Sequence, residues 1–196
     1  MTGRACLAAV LLLGFAAAVR ADGAPQPPAA AARPADADAG RDALLSRLAA
    51  TSDPDEADGI VARLDRLNQR SGSDTGDLLL ARGVAALDGQ KLDVAQQLLV
   101  ALTALRPQWA EAWAARANAD YLAGDAKATF VDLARALADD PKHLKATAEL
   151  GAMLEDAGKR EEALRVYQRA LDIAPQWRPA RAAAERLRAT LAGESL

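Results

Sequence analysis

Few side chains in this sequence are equipped for chemistry. The one histidine is His143 and the one cysteine is Cys6. A single histidine cannot build a metal site from the usual ligand sets without thiolates or further imidazoles. The serines have no plausible histidine partner for nucleophilic attack. Gly72, Gly83 and Gly89 lack the spacing of a phosphate-cradling loop and have no strand before them. The carboxylate pairs Asp139-Asp140 and Glu161-Glu162 fall at helix ends, and the second lies in an opening turn, where negative charge favours the helix. The expectation is a protein with no catalytic residues, no metal and no cofactor, in which His143 is a surface turn residue.

The first residues read as an address. Arg4 and the free amine make a short basic start, Ala5 to Val19 carries no charge, and Val19-Arg20-Ala21 offers small residues where a signal peptidase reads. Cleavage after Ala21 is expected, with Ala16-Ala17-Ala18 as a second candidate. An uncleaved anchor fits less well, because the apolar run falls short of the roughly 20 residues that span a bilayer. Cys6 stands at the start of the run, whereas lipidation needs a cysteine at the cleavage point. The mature chain then has no cysteine, so neither disulfides nor thiolate chemistry are open to it. A periplasmic or secreted location follows, without membrane insertion after cleavage.

The formal net charge is −3, and loss of Arg4 and Arg20 with the leader makes the mature chain more acidic. No basic stripe suggests nucleic acid, and no polybasic run suggests a lipid surface. Residues 22–40 are rich in alanine and proline and hold no large apolar side chain, so they cannot bury enough surface to offset the entropy of ordering. They read as a disordered tether.

Beyond Arg41 helix-forming residues dominate, and no segment alternates in the manner of a strand. Residues 41–75 suggest a degenerate helix pair. Ala43, Leu44, Leu45 and Leu48 mark the first helix. Ile60, Val61, Leu64 and Leu67 mark the second. Asp53-Pro54-Asp55-Glu56 reads as a helix start, with Asp53 as cap, Pro54 in the first turn and Glu56 reaching back as a capping box. This pair is expected to act as an N-terminal cap or divergent repeat.

Pro107, Pro141 and Pro175 follow one another at intervals of 34 residues, each at the close of an apolar helix face and before a new helix start. A period of 34 marks a helix-turn-helix solenoid. Three units result: 76–109, 110–143 and 144–177. Gly83, Ala117 and Gly151 recur on the first helix and Ala95, Thr129 and Ala163 on the second, small residues that let two helix backbones approach. In the third unit Leu150-Gly151, Leu154, Gly158, Ala163, Tyr167, Ala170 and Pro175, and in the second Trp113, Gly124, Ala136 and Pro141, resemble the tetratricopeptide repeat (TPR) pattern. The segments Ala81 to Leu87 and Asp132 to His143 further resemble exported TPR proteins of Gram-negative bacteria. The fold class expected is all-α, an α-α superhelix of about three full repeats with a degenerate N-terminal helix pair. Residues 178–196 add a C-terminal cap helix and tail whose Arg181, Arg186 and Arg188 face water.

Some positions depart from the pattern. Arg82 and Arg116 stand where leucine is usual, and Asp120 replaces a large apolar residue. The arginine stems are expected to lie over the packed face with their heads in water. An Arg116–Asp120 pair four residues apart is the alternative. Trp109, Trp113 and Trp177 read as junction packing, with a partner hot spot as the other possibility.

The resemblance implies that the first helix of each unit lines a concave groove. Carried over by phase, the lining is Asp77, Leu80, Val84 and Leu87, then Glu111, Ala114, Asn118 and Tyr121, then Lys145, Ala148, Ala152 and Glu155. That surface suits an amphipathic helix or an extended protein segment. The Lys and Asn clamp by which chaperone-binding relatives hold a terminal carboxylate is absent but for Asn118. The implied function is a periplasmic scaffold or adaptor for a protein or peptide partner. A holder of unfolded exported chains, such as apocytochromes or outer-membrane precursors, is the alternative. Simple packing between repeats would also account for Leu80, Val84 and Leu87.

Overall fold

The computed structural model describes residues 35–194. These form α1 (Ala35–Ala50), α2 (Pro54–Asn68), α3 (Asp74–Asp88), α4 (Leu92–Leu105), α5 (Ala110–Leu122), α6 (Ala126–Asp139), α7 (Leu144–Asp156), α8 (Arg160–Ile173) and α9 (Arg178–Glu194), with no strand among the described residues. The expected leader, residues 1–21, and most of the expected tether lie outside them. The tether boundary at Gly40 is corrected, because Ala35–Gly40 is already helical. Alanine, abundant in this stretch, is the best helix former.

The pairs α3/α4, α5/α6 and α7/α8 stack as three repeats, and α9 caps the last. A large side chain meets a small one within each pair. A Cβ placed on Gly83 would lie 2.7 Å from the Leu99 side chain, and one on Gly151 would lie 2.7 Å from the Tyr167 ring. Ala117 and Leu133, both buried, occupy the same phase in the second repeat. The turn within the second and third repeats is closed by Gly124 (φ +79°) and Gly158 (φ +73°). In the first repeat that place is held by Gln90, a non-glycine residue in the left-handed region (φ +56°).

Start signals mostly act as expected. Asp53 accepts from the Asp55 N–H at 2.9 Å and Pro54 opens α2. The capping box does not form. Glu56 takes the Thr51 hydroxyl and Arg47, while the Asp53 N–H donates to Thr51 Oγ1 at 3.2 Å.

The helix pair α1–α2 does not stack on α3. Leu45, Leu48, Ile60, Val61 and Leu64 instead share a buried cluster with Leu144 of α7, Tyr167 of α8, Leu187 of α9 and Trp177 in the turn between α8 and α9. α2 runs opposite to the repeat order across the starts of three helices. Its Asp55 and Asp58 meet Arg178 at the head of α9, at 2.7 and 3.1 Å. Asp65 feels the charges of His143, Lys145 and Glu111 at the heads of α7 and α5. The Asn68 carbonyl accepts from Trp109 Nε1 at 2.9 Å, just before α5. Fifteen helical residues span about 22 Å, enough to cross all three junctions. The end-cap role is therefore corrected to a brace along the junctions. As a result the face that α5, α7 and α9 bury against the helix before them is open on α3. Ala112, Ala146 and Ala180 are buried, but their counterpart Leu78 is 50% exposed.

Candidate interaction groove

His143 follows Pro141 by two residues, as Trp109 follows Pro107 and Trp177 follows Pro175, so all three share one phase of the repeat. All three are buried where α1 and α2 cover the junctions, and His143 is 1% exposed. The surface-turn reading of His143 is corrected accordingly. Its Nδ1 accepts the Ala146 N–H at 3.2 Å and caps α7. With Nδ1 accepting, Nε2 is the nitrogen that donates to Glu111 Oε2, at 3.0 Å. Lys145 Nζ lies 3.6 Å from the other Glu111 oxygen.

Asp65, Glu111 and Glu149 thus gather three carboxylates around one lysine and one histidine. Burial pushes the Asp65 carboxyl above its ordinary range, and the Glu111 charge adds to this. Burial likewise pushes Glu149 up to about 7. Lys145 and His143 oppose that shift, and Glu111 and Asp65 reinforce it. For Lys145 burial acts downward, but the carboxylates of Glu111, Glu149 and Asp65 outweigh it and leave the ammonium above its usual value. Glu149 Oε2 is closed off from solvent and makes no hydrogen bond.

The predicted groove residues divide. Leu80, Glu111 and Ala114 are buried and are corrected from lining to interior, because helix packing closes over them. Asp77 accepts from the Ser71 N–H at 2.7 Å and from its hydroxyl at 2.6 Å, which ties the head of α3. Ala148 packs on the cluster containing α1 and α2. Lys145 serves Glu111, and Glu155 is held by Arg186 of α9 at 2.7 Å. Val84 is exposed and Leu87 borders a second cavity, of about 410 Å³, with Leu92 and Leu122.

Asn118, Tyr121 and Ala152 remain, and the fold brings them together. They rim a cavity of about 160 Å³ between α5, α6 and α7, whose depth is lined by Ala117, Leu133 and Met153 and whose side carries Glu149. The small side chains Ala117 and Ala152 leave the space. Tyr121, 46% exposed, places its hydroxyl on Asp156.

Behind this wall lies a polar node that the sequence did not disclose. Arg116 grips Asp132 with two 2.5 Å hydrogen bonds, donates to Thr103 Oγ1 at 2.9 Å and stacks over the Trp113 ring at 4.5 Å. Asp132 is 1% exposed. For Arg116, neither the water-facing head nor the pairing with Asp120 is found. Asp120 accepts from Gln96 at 3.2 Å instead. Arg82 is exposed. The signal available was the repeat phase, since Leu150 and Val166 hold these two places in the third repeat. Trp109 and Trp177 are packing residues, as read. Among the described residues no cluster of His, Cys, Asp and Glu could hold a metal ion, and no helix is long and apolar enough to cross a membrane.

No protein-family model matches the chain. It is 31% identical over 152 residues to a TPR repeat-containing protein of Rhizobium etli, covering 78% of this chain and 74% of that one. Its fold resembles the Arabidopsis OM64 TPR domain, at 24% identity and TM-score 0.56, over 63% of this chain and 98% of the other. It also resembles the first TPR of Spaghetti (RPAP3) bound to an HSP90 peptide, at 23% identity and TM-score 0.57, over 61% and 95% of the two chains.

Proposed function

Because the chain belongs to the tetratricopeptide repeat family, whose folds generally mediate protein–protein interaction and whose members are typically scaffolds rather than enzymes, we propose that it is a periplasmic adaptor that binds one partner segment in its groove. The observation that carries this reading is the cavity rimmed by Asn118, Tyr121 and Ala152, which α2 leaves unfilled while it covers the heads of the same helices. A concave, mostly apolar cleft with a few placed polar groups is what segment recognition requires. The leader-like residues 1–21 support export.

An acidic terminal segment such as the HSP90 peptide of the RPAP3 complex suits this groove poorly. Glu149 on its wall and Asp156 beside Tyr121 would repel it, and only Asn118 remains of the carboxylate clamp. A holder of unfolded exported chains is the second reading, favoured by the large apolar side chains exposed on α4 and α6: Val94, Val100, Phe130 and Val131.

The test is photocrosslinking in cells from Asn118 and Ala152, with mass spectrometry of the adducts and fractionation of the envelope. One dominant adduct in the periplasmic fraction supports the adaptor. Many precursors support the holder. No adduct from either position, or a cytoplasmic protein that retains residues 1–21, overturns the reading.

A further inference from the structure

Four helices of the stack present the same face to the helix before them or, in α3, to solvent. The middle of that face is Ala81 on α3, Ala115 on α5 and Ala183 on α9, but Glu149 on α7. A carboxylate at a packing position is costly unless something compensates it. Here one oxygen, Oε2, is sealed from water with no hydrogen bond, and the side chain borders the cavity between α5, α6 and α7. The remaining walls of that cavity are chiefly aliphatic: Ala117, Leu133, Ala152 and Met153. Its volume of about 160 Å³ equals about five waters' share of liquid. That holds one long side chain and is too small for a typical small-molecule site of roughly 300–1,000 Å³. The local charge balance is negative, with Asp65, Glu111 and Glu149 against Lys145 and His143, and Asp156 accepts from the Tyr121 hydroxyl nearby.

We propose that this cavity is a specificity pocket for one basic side chain of the partner segment, its methylene stem against Ala117, Leu133, Ala152 and Met153 and its cationic head on the Glu149 carboxylate. The inference rests on the groove reading above and names the partner's chemistry at one position. An aliphatic stem with a charged tip matches both halves of the pocket, as an apolar or an acidic side chain does not. An ammonium seated in the cavity would lie against the Glu149 side chain and give its carboxylate the opposite charge that it lacks there. It would also convert a carboxyl that burial keeps partly protonated near neutral pH into a charged, paired one, so binding releases a fraction of a proton.

The experiment uses the mature full chain and a scanning library of capped nonapeptides. Lysine, arginine, norleucine or glutamate is fixed at one position in turn, and binding is read by fluorescence anisotropy at pH 8. Peptides carrying lysine or arginine should bind at least about tenfold more tightly than norleucine peptides, whose stem is similar and whose tip is neutral. Glu149→Gln should reduce that preference to below about twofold while norleucine peptides bind as before. Ala152→Leu, at an exposed position, fills the pocket and should weaken all basic peptides without loss of helicity. Lysine against arginine shows which head fits. Equal binding of norleucine and basic peptides, or an undiminished preference in Glu149→Gln, overturns the pocket while leaving the groove reading standing. Failure of every peptide to bind overturns both.

Discussion

The indole N–H of Trp109 donates to the main-chain carbonyl of Asn68 at 2.9 Å, across 41 residues of sequence, and joins the last turn of α2 to the junction between the first two repeats. The bond is buried, so its loss leaves a carbonyl short of a partner. Trp109→Phe should cost about 1 kcal/mol and lower the melting temperature by about 2–4 °C. The same change should speed hydrogen exchange in α2 more than in α5 or α6, because α2 depends on its junction contacts. Unchanged protection of α2 would show that the brace is held elsewhere.

Gly151→Ala should destabilise the third repeat by about 1–3 kcal/mol, because the new methyl would meet the Tyr167 ring at 2.7 Å. The second repeat already carries the relaxed version, with Ala117 and Leu133 in the same phase. Adding Tyr167→Leu to Gly151→Ala should therefore recover part of the loss. Chemical denaturation of the two single variants and the double would show coupling, and strict additivity would count against the contact.

Asp132→Ala should cost about 3–5 kcal/mol, since it strips the partner from Arg116 in a closed site. Replacing both, as Arg116→Leu with Asp132→Val, installs the pair that Leu150 and Val166 form by phase in the third repeat. That double variant should match or exceed the wild type in thermal unfolding. A double variant as unstable as Asp132→Ala would show that the Thr103 and Trp113 contacts of Arg116 matter more than the ion pair.

Stability should fall as pH rises from about 5 to about 8. Burial raises the Glu149 carboxyl to about 7, above its value in the unfolded chain, so in this window the folded state binds the extra proton. The sign is opposite to that of a salt-bridged carboxylate. The contribution is fully present below the ordinary glutamate range and is lost as pH passes the folded value. The upward shift of Asp65 acts in the same direction. The loss amounts to at most about 3 kcal/mol, and Glu149→Gln should flatten the profile. A melting temperature that climbs over this range in the wild type would contradict the raised carboxyl.

Gln90→Gly should stabilise the protein by about 0.5–1 kcal/mol. Gln90 sits at φ +56° where the other two repeats place Gly124 and Gly158, and the left-handed conformation is costly for a side chain with a Cβ. Thermal unfolding of this single variant is the check.

Much of the architecture was legible because it is periodic. The prolines at 34-residue intervals and the small residues at Gly83, Ala117 and Gly151 recur in all three units, and the turn glycines Gly124 and Gly158 in two, so the units corroborate one another. The site was legible only in part. Asn118, Tyr121 and Ala152 do rim a cavity, but Leu80, Glu111 and Ala114 lie inside the packing. A lining position and an interior position differ on one helix by a fraction of a turn, which phase alone resolves poorly.

By itself the sequence determined the local terms: where helices start and stop, which face of each is apolar, and how closely paired helices approach. These depend on residues within one repeat length, and repetition fixed their register. The tertiary structure decided what depends on residues distant in the chain. It laid α2 across the junctions rather than against α3, turned His143 from a presumed surface residue into a buried cap bound to Glu111, and paired Arg116 with Asp132 instead of Asp120. In each case a polar group entered a closed site, where the partner within reach is set by how helices pack and not by sequence spacing.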